Sequence, residues 1–477
     1  MYDGGDLAAS RGVVVVTLNY RLGILGLAAP RGSLALDGAA GNYALLDQRS
    51  ALRWVRRNID AFGGDAGRVL LFGESAGGYS VGAHLVADGG SGGDAHGALF
   101  HAALIESGGF GAGNREDALA RADAMAAYLG CNVTAEGAKA SDLEALACLQ
   151  AQDLTSPEVW QDINNAVDAA GAPGSFCDVI LDGALITEDP WQSLAAGRAA
   201  GVPVLAGTNT DEGTLFMRLP KPTAEADFWA YTSTWLGNTS FAARAVELYV
   251  PLVNGSDWYV PAERFTGDFA MTCPMRRALR LLATARGKAF NNARAAGDVP
   301  GIWAYHYDLR YKCDPWFSFF GVSHSLELGP VFQHMEPRAH KANCTDFAPD
   351  EWPIVEAIGR FWAQMAAMGD PNNAATKSGV QNQKRHSTRG RPWLAEPKAF
   401  GIGAQAGAST SSLPAWPRVP SDASAAVPYM TFGFPAVRIE AGWRKAECDL
   451  YDEWVDELLG GTPPQVRTAA AREYRAP

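Results

Sequence analysis

The chain has 477 residues, 47% of them apolar, enough to bury a sizeable core in one large or several smaller domains. Its 52 acidic against 40 basic residues leave a net charge of −12, which speaks against nucleic acid or an anionic membrane surface as a partner. No apolar run in the chain approaches the ~18 residues a membrane-spanning helix needs.

The first strong signal is "RGVVVVTLNYR", Arg11 to Arg21, continuously β-branched and apolar, which predicts a buried strand of a parallel sheet. "NYALLDQRSALRWVRRNIDAFGGD" then takes helical spacing. Leu45, Leu52 and Val55 share one stripe, and Gly63-Gly64 ends it. "RVLLFG", Arg68 to Gly73, reads as a short buried strand, and "AGGYSVGAHLVA" as the start of a helix. "ALFHAALIES" (Ala98 to Ser107), "VPVLAGTN" (Val202 to Asn209) and "GIWAYHYDLR" (Gly301 to Arg310) read as further strands. Strands alternating with helices predict an α/β fold around a mostly parallel sheet. Thr376 to Arg391 is polar and basic, and Gly403 to Val427 is rich in Ala, Ser, Gly and Pro; both read as surface loops or insertions. No internal repeat is visible.

Between the predicted strand and helix stands "GESAG", with Gly73, Ser75 and Gly77 in G-x-S-x-G spacing. That context suits a serine nucleophile on a sharp turn. Gly73 and Gly77 are expected to leave room where a Cβ would clash. The helix start would point N–H groups, Ala76 first, at a developing oxyanion. The bland alternative is a serine capping a helix in a glycine-rich loop. A serine nucleophile needs a base, and the base an acid, in the chain order Ser, acid, His. His84 falls on the same helix and points away, while His101 and His306 fall in predicted strands. His324, in "GVSHSLELGPVF", falls in a loop after a strand, where the base is expected. Asp211 and Glu212, in "GTNTDEGTLF", both end a strand, and topology does not choose between them.

Taken together, these blocks resemble the type B carboxylesterase family, which includes cholinesterases and fungal lipases. They are "VVVVTLNYRLGILG", "GNYALLDQRSALRWVRRNIDAFGGD", "RVLLFGESAGGYSVGAHL", "VPVLAGTNTDEGTLF", "HSLELGPVF" and "GDPN", in the family's order, and the likeness runs from Tyr2 to about Trp454. The resemblance implies one α/β-hydrolase domain over residues 1–477, with a mostly parallel central sheet flanked by helices. It implies Ser75 as nucleophile, Glu212 as acid, His324 as base and Ala76 as an oxyanion donor. Glu74 and Ser107 would support these groups. It implies a carboxylic-ester hydrolase working through an acyl-enzyme, on a small-molecule or lipid ester. No metal or organic cofactor is expected, because the histidines and cysteines show no ligand spacing.

The cysteines and sequons fit a secretory environment. Cys131 and Cys148 resemble the family's short-loop disulfide, and Cys273 and Cys448 a long-range one. Cys313 and Cys344 flank the His324 loop and are expected to pair, leaving Cys177 as a small buried hydrophobe. Sequons stand at Asn132, Asn238, Asn254 and Asn343.

The departure is at the front. The family's HGGG-type segment, which supplies the other oxyanion donors, precedes the part matched by "MYDGGDLAA", and no HGGG occurs in this chain. The family's N-terminal strands, and with them a signal peptide, are expected in a missing N-terminal region. The strand leading into HGGG would lie between Arg11–Tyr20 and the strand before Ser75, so a gap one strand wide is expected there. This gap motivates the rival reading: a cholinesterase-like binding or adhesion protein with weak or no catalysis.

Overall fold

A computed structural model describes residues 2–33, 41–87, 99–132, 140–172, 176, 178–199, 201–217, 222–255, 257–291, 299–312, 319–335, 346–372, 413–458 and 460. Their centre is a six-stranded sheet, β1 (Leu70–Glu74), β2 (Ala102–Glu106), β3 (Val204–Asn209), β4 (Ile302–Asp308), β5 (Pro428–Gly433) and β6 (Arg438–Ala441), lying side by side in chain order. The first five run parallel, and β6 closes the far edge as an antiparallel hairpin partner of β5. Parallel neighbours need crossovers, and helices supply them: Ala76–Val86 between β1 and β2, Cys273–Asn291 between β3 and β4, Trp352–Met368 between β4 and β5.

Sequence and packing agree in the middle of the sheet. β2 and β3 are buried at every position, as their uninterrupted apolar runs require. One face packs Leu104, Leu205, Trp303 and Tyr305 against Ile358, Phe361 and Trp362 of the helix Trp352–Met368. The other packs Ile105, Ala206 and Ala304 against Leu279 and Leu282 of the helix Cys273–Asn291. The predicted stripe of Leu45, Leu52 and Val55 is buried on the helix Tyr43–Asn58. That helix tightens to a 3₁₀ turn before Gly63, whose φ of 83° stops it.

Three expectations are corrected. Arg11 to Arg21 is not a strand of the sheet. Among the described residues no strand pairs with it, and Val14 and Val16 are 43% and 39% exposed. Val15 packs against the core, as do Leu70 and Phe72. An apolar β-branched run states a preference for extended backbone, but a ladder also needs a neighbour. Among the described residues β1 is consequently the outer strand, half-buried along its whole length, where a central position was expected. Secondly, Gly403 to Val427 is not wholly surface. Within its described part Trp416 is 2% exposed, donates its indole N–H to the Ala304 carbonyl at 3.0 Å and packs on Phe361 and Phe432. Thr376 to Arg391 lies outside the described residues. Thirdly, a Cβ on Gly77 would meet nothing within 4 Å. The crowding is at Gly73, where a Cβ would sit 2.5 Å from the Gly77 carbonyl carbon, and at Gly78, where it would sit 2.9 Å from the Gly108 Cα. The helix turns its first residues over β1, so Gly77 supplies the obstacle and not the space.

Two disulfides tie the periphery. Cys131–Cys148 closes 17 residues and Cys273–Cys448 spans 175. In the loop-entropy picture these are worth about 3 and about 5 kcal/mol. The second joins the helix Cys273–Asn291 to the helix Lys445–Leu458, where Arg276 also pairs with Asp449 and Asp452 at 2.9 and 2.7 Å. Cys177, Cys313 and Cys344 lie outside the described residues. No described helix is long and apolar enough to cross a membrane.

Candidate active site

Ser75 is the residue between β1 and the helix Ala76–Val86. Its φ of 55° and ψ of −118° lie where side-chain-bearing residues rarely go. Such backbone costs ~1–3 kcal/mol and persists only where its surroundings hold it. Here the Ser75 N–H donates to the Glu106 carbonyl at 2.9 Å, and its own carbonyl accepts from Tyr79 N–H at 2.9 Å. The residue is half-buried, and Ala76, at the first helical position, is exposed.

Two other strand ends supply the remaining polar groups. After β3, Glu212 opens a 3₁₀ turn and is 1% exposed. Its Oε1 accepts from the Ser107 hydroxyl at 2.5 Å and from the Asn209 N–H at 2.7 Å. Its Oε2 lies 2.7 Å from His324 Nδ1. His324, 5% exposed, sits in the loop after β4, with the Phe216 ring edge-on at 4.9 Å. Its other nitrogen, Nε2, is 3.0 Å from Glu74 Oε1. That contact is short but not aligned as a hydrogen bond, and Nε2 has no hydrogen-bond partner among the described residues, Ser75 included. Glu74 Oε1 also accepts from the Ser325 hydroxyl at 2.6 Å. The structure therefore brings Glu74, Ser107, Glu212 and His324 into one linked set, with Ser75 joined to it through the backbone.

Asp211 does not touch the imidazole, yet it is more than a turn residue. Its Oδ2 accepts the Val322 N–H at 2.7 Å, its own N–H donates to the Val322 carbonyl at 2.9 Å, and it is ion-paired with Arg264. It fastens the loop that carries His324 to the turn that carries Glu212. This contact spans 111 residues and has no signature in the sequence.

Charge dominates the site. Burial alone would strip the proton from His324, but Glu212 and then Glu74 outweigh it, so the imidazole holds its proton more firmly than a free histidine. Burial pushes the Glu74 carboxyl up, opposed by His324 and by the Ser325 hydrogen bond. Burial pushes Glu106, beside it on β2, up to about 8; Trp362 Nε1 donates to it at 2.7 Å. Glu327 is raised well above the carboxylate range by burial and by Glu74, Glu212 and Glu106. It accepts from Asn209 and, at 3.4 Å, from Ser107. Sequence reading missed Glu106 and Glu327 as site groups. A glutamate inside the apolar strand "ALIES" was the available signal for the first. Among the described residues no group of three or more His, Cys, Asp or Glu is arranged to hold a metal ion.

Other expected positions lie apart. His84 is buried on the helix Ala76–Val86 against Gln48, at 2.9 Å. His101 precedes β2 by one residue instead of lying within a strand. Asn132 and Asn254 are exposed. Asn238 is half-buried, and its Oδ1 caps the helix Thr239–Tyr249. Asn343 lies outside the described residues.

A mostly parallel sheet with helical crossovers, a strained serine at a strand-to-helix turn and an acid–imidazole pair at later strand ends are the architecture of an α/β hydrolase. Sequence comparison narrows this. The profile of the Carboxylesterase family matches residues 1–451, and the chain belongs to that family. It is 31% identical over 394 residues to the para-nitrobenzyl esterase of Bacillus subtilis (strain 168), covering 81% of this chain and 71% of the relative. It is 28% identical over 412 residues to acetylcholinesterase 1 of Caenorhabditis briggsae, covering 80% of this chain and 61% of the relative. The protein is a carboxylic ester hydrolase.

Proposed function

We propose that the protein hydrolyses carboxylic esters through a Ser75–His324–Glu212 triad, within one hydrolase domain over residues 1–477. The observation that carries this is the 2.7 Å contact of Glu212 with His324 Nδ1, set beside a serine at φ 55° between strand and helix. Nδ1–H donates to Glu212, which leaves Nε2 as the proton acceptor. Ser75 Oγ forms a bond to the ester carbonyl carbon as its proton passes to Nε2. The carbonyl oxygen becomes an oxyanion facing the Ala76 N–H. The bond to the alcohol oxygen breaks, and His324 returns the proton to that alkoxide. Water then attacks the acyl-enzyme by the same route, regenerating Ser75. Glu212 fixes the tautomer and balances the imidazolium charge.

The substrate is a small-molecule or lipid ester. Two disulfides, with exposed asparagines in two of the sequons, support secretion as a glycoprotein. The rival reading, a binding or adhesion protein with weak catalysis, is favoured by one observation: His324 Nε2 faces Glu74, and no hydrogen bond joins it to Ser75. A fluorophosphonate probe separates the two. Stoichiometric labelling that maps to Ser75 and vanishes in Ser75→Ala is the expected result. An unlabelled, folded protein would hand the site to the rival.

A further inference from the structure

Resting on that reading of the site, we infer that Ser325 is a positioning residue: its hydroxyl holds the Glu74 carboxylate beside Nε2 of His324 and so governs when that nitrogen is free to take the Ser75 proton. One oxygen does both jobs. Glu74 Oε1 accepts the Ser325 hydroxyl at 2.6 Å and stands 3.0 Å from Nε2. The two partners are chain neighbours 250 or more residues away from Glu74, and the loop brings both to it at once. Ser325 reaches that place in a left-handed conformation, φ 69°, that a side-chain-bearing residue seldom adopts. The backbone cost is met at a position where the hydroxyl has a defined partner.

The consequence is electrostatic. Glu212 from the turn after β3 and Glu74 from the end of β1 flank the two ring nitrogens. Around them stand Glu106 on β2, Glu327 on the loop after His324, and the Tyr2 and Tyr305 hydroxyls, all either neutral or negative. An imidazolium between two carboxylates is favoured, and a neutral base with an open Nε2 is correspondingly disfavoured. Removing the Ser325 hydroxyl releases Glu74 to turn away and to hold a proton more readily. Either change lets His324 lose its proton at lower pH.

The test measures the rate of fluorophosphonate inactivation against pH for the full chain, Ser325→Ala, Ser325→Gly, Glu74→Gln and the double variant Ser325→Ala/Glu74→Gln. Glu74→Gln should lower the acid-limb midpoint by about one pH unit, the size expected when one adjacent carboxylate is neutralised. Both Ser325 variants should lower it by roughly half that, and the double variant should match Glu74→Gln alone. Glycine relieves the backbone and alanine does not, so a shared shift belongs to the hydroxyl. An unmoved midpoint in both Ser325 variants, or additive shifts in the double variant, overturns the inference even if rates fall. A wild-type chain that does not react at all overturns the underlying site reading instead, and the two failures look different.

Discussion

β1 and β2 lie side by side in register, Leu70 against Ala102 through Glu74 against Glu106, yet the fold treats them in opposite ways. All five residues of β2 are buried, and all five of β1 are half-buried. β1 carries the candidate nucleophile at its tip, whereas β2 seals the interior. The paired glutamates register the difference. Glu74, on the outer strand, has a hydroxyl and an imidazole within reach. Glu106, one strand further in, has the Trp362 indole on Oε1 and no hydrogen-bond partner for Oε2 among the described residues. Polar function concentrates at strand ends where loops from other strands can reach, and the same side chain one strand deeper becomes a burden.

The comparison can be broken most forcefully at Glu106. Its carboxyl stays neutral in the folded chain up to about pH 8 but ionises near pH 4.5 once unfolded. The folded state therefore holds the extra proton. Stability from this group is complete below pH 4.5 and is lost as pH rises toward 8. Glu106→Gln, which mimics the neutral form, should flatten that decline and stabilise the protein above pH 8 by on the order of 4 kcal/mol. Denaturant melts of both chains at pH 5 and pH 9 check this; equal slopes with pH would refute it.

Next in size is the difference in packing. Leu104 on β2 and Leu70 on β1 pack against the same core. Leu104→Ala should cost about 3 kcal/mol and Leu70→Ala about 1 kcal/mol, because the outer site is already partly in water and can relax. Equal losses in urea titrations would mean that β1 is shielded after all. Smallest in its effect on stability is Asp211→Asn, which removes the charge that pairs with Arg264 and supports the Val322 amide. The Glu212 and His324 loops should then drift apart, with a loss of roughly 10²-fold in kcat/KM and little change in stability. Steady-state kinetics on a chromogenic ester reads it, and an unchanged rate would show that the loop is held elsewhere.

Where local chemistry decides the structure, the chain could be read directly. The runs at Val202–Asn209 and Gly301–Arg310 become β3 and β4 nearly to the residue, because both are sealed on two faces. The elbow was legible because a strand, a tight glycine-flanked turn and a helix succeed one another within a few residues. Three things were not. Arg11–Arg21 carries a strand's composition without a ladder partner among the described residues. The choice between Asp211 and Glu212 depends on which carboxyl meets the imidazole 112 residues on, since both reach its loop. Ser325 and Glu327 are ordinary loop residues until Glu74 and Asn209 arrive from distant strands. Motif likeness named Glu212 and His324 and set Glu74 among their supports, but it did not say which ring nitrogen Glu74 would face.

The outer side of β1 has a colloidal meaning as well. Among the described residues no strand covers it, and like β6 at the other end of the sheet it has one margin of amide donors and acceptors without a ladder partner. Leu70, Leu71, Phe72 and Gly73 carry no charge, and only Arg68 and Glu74 stand guard at either end. Wherever that margin is open to a second extended chain, pairing would fall on the strand that leads into the turn of Ser75.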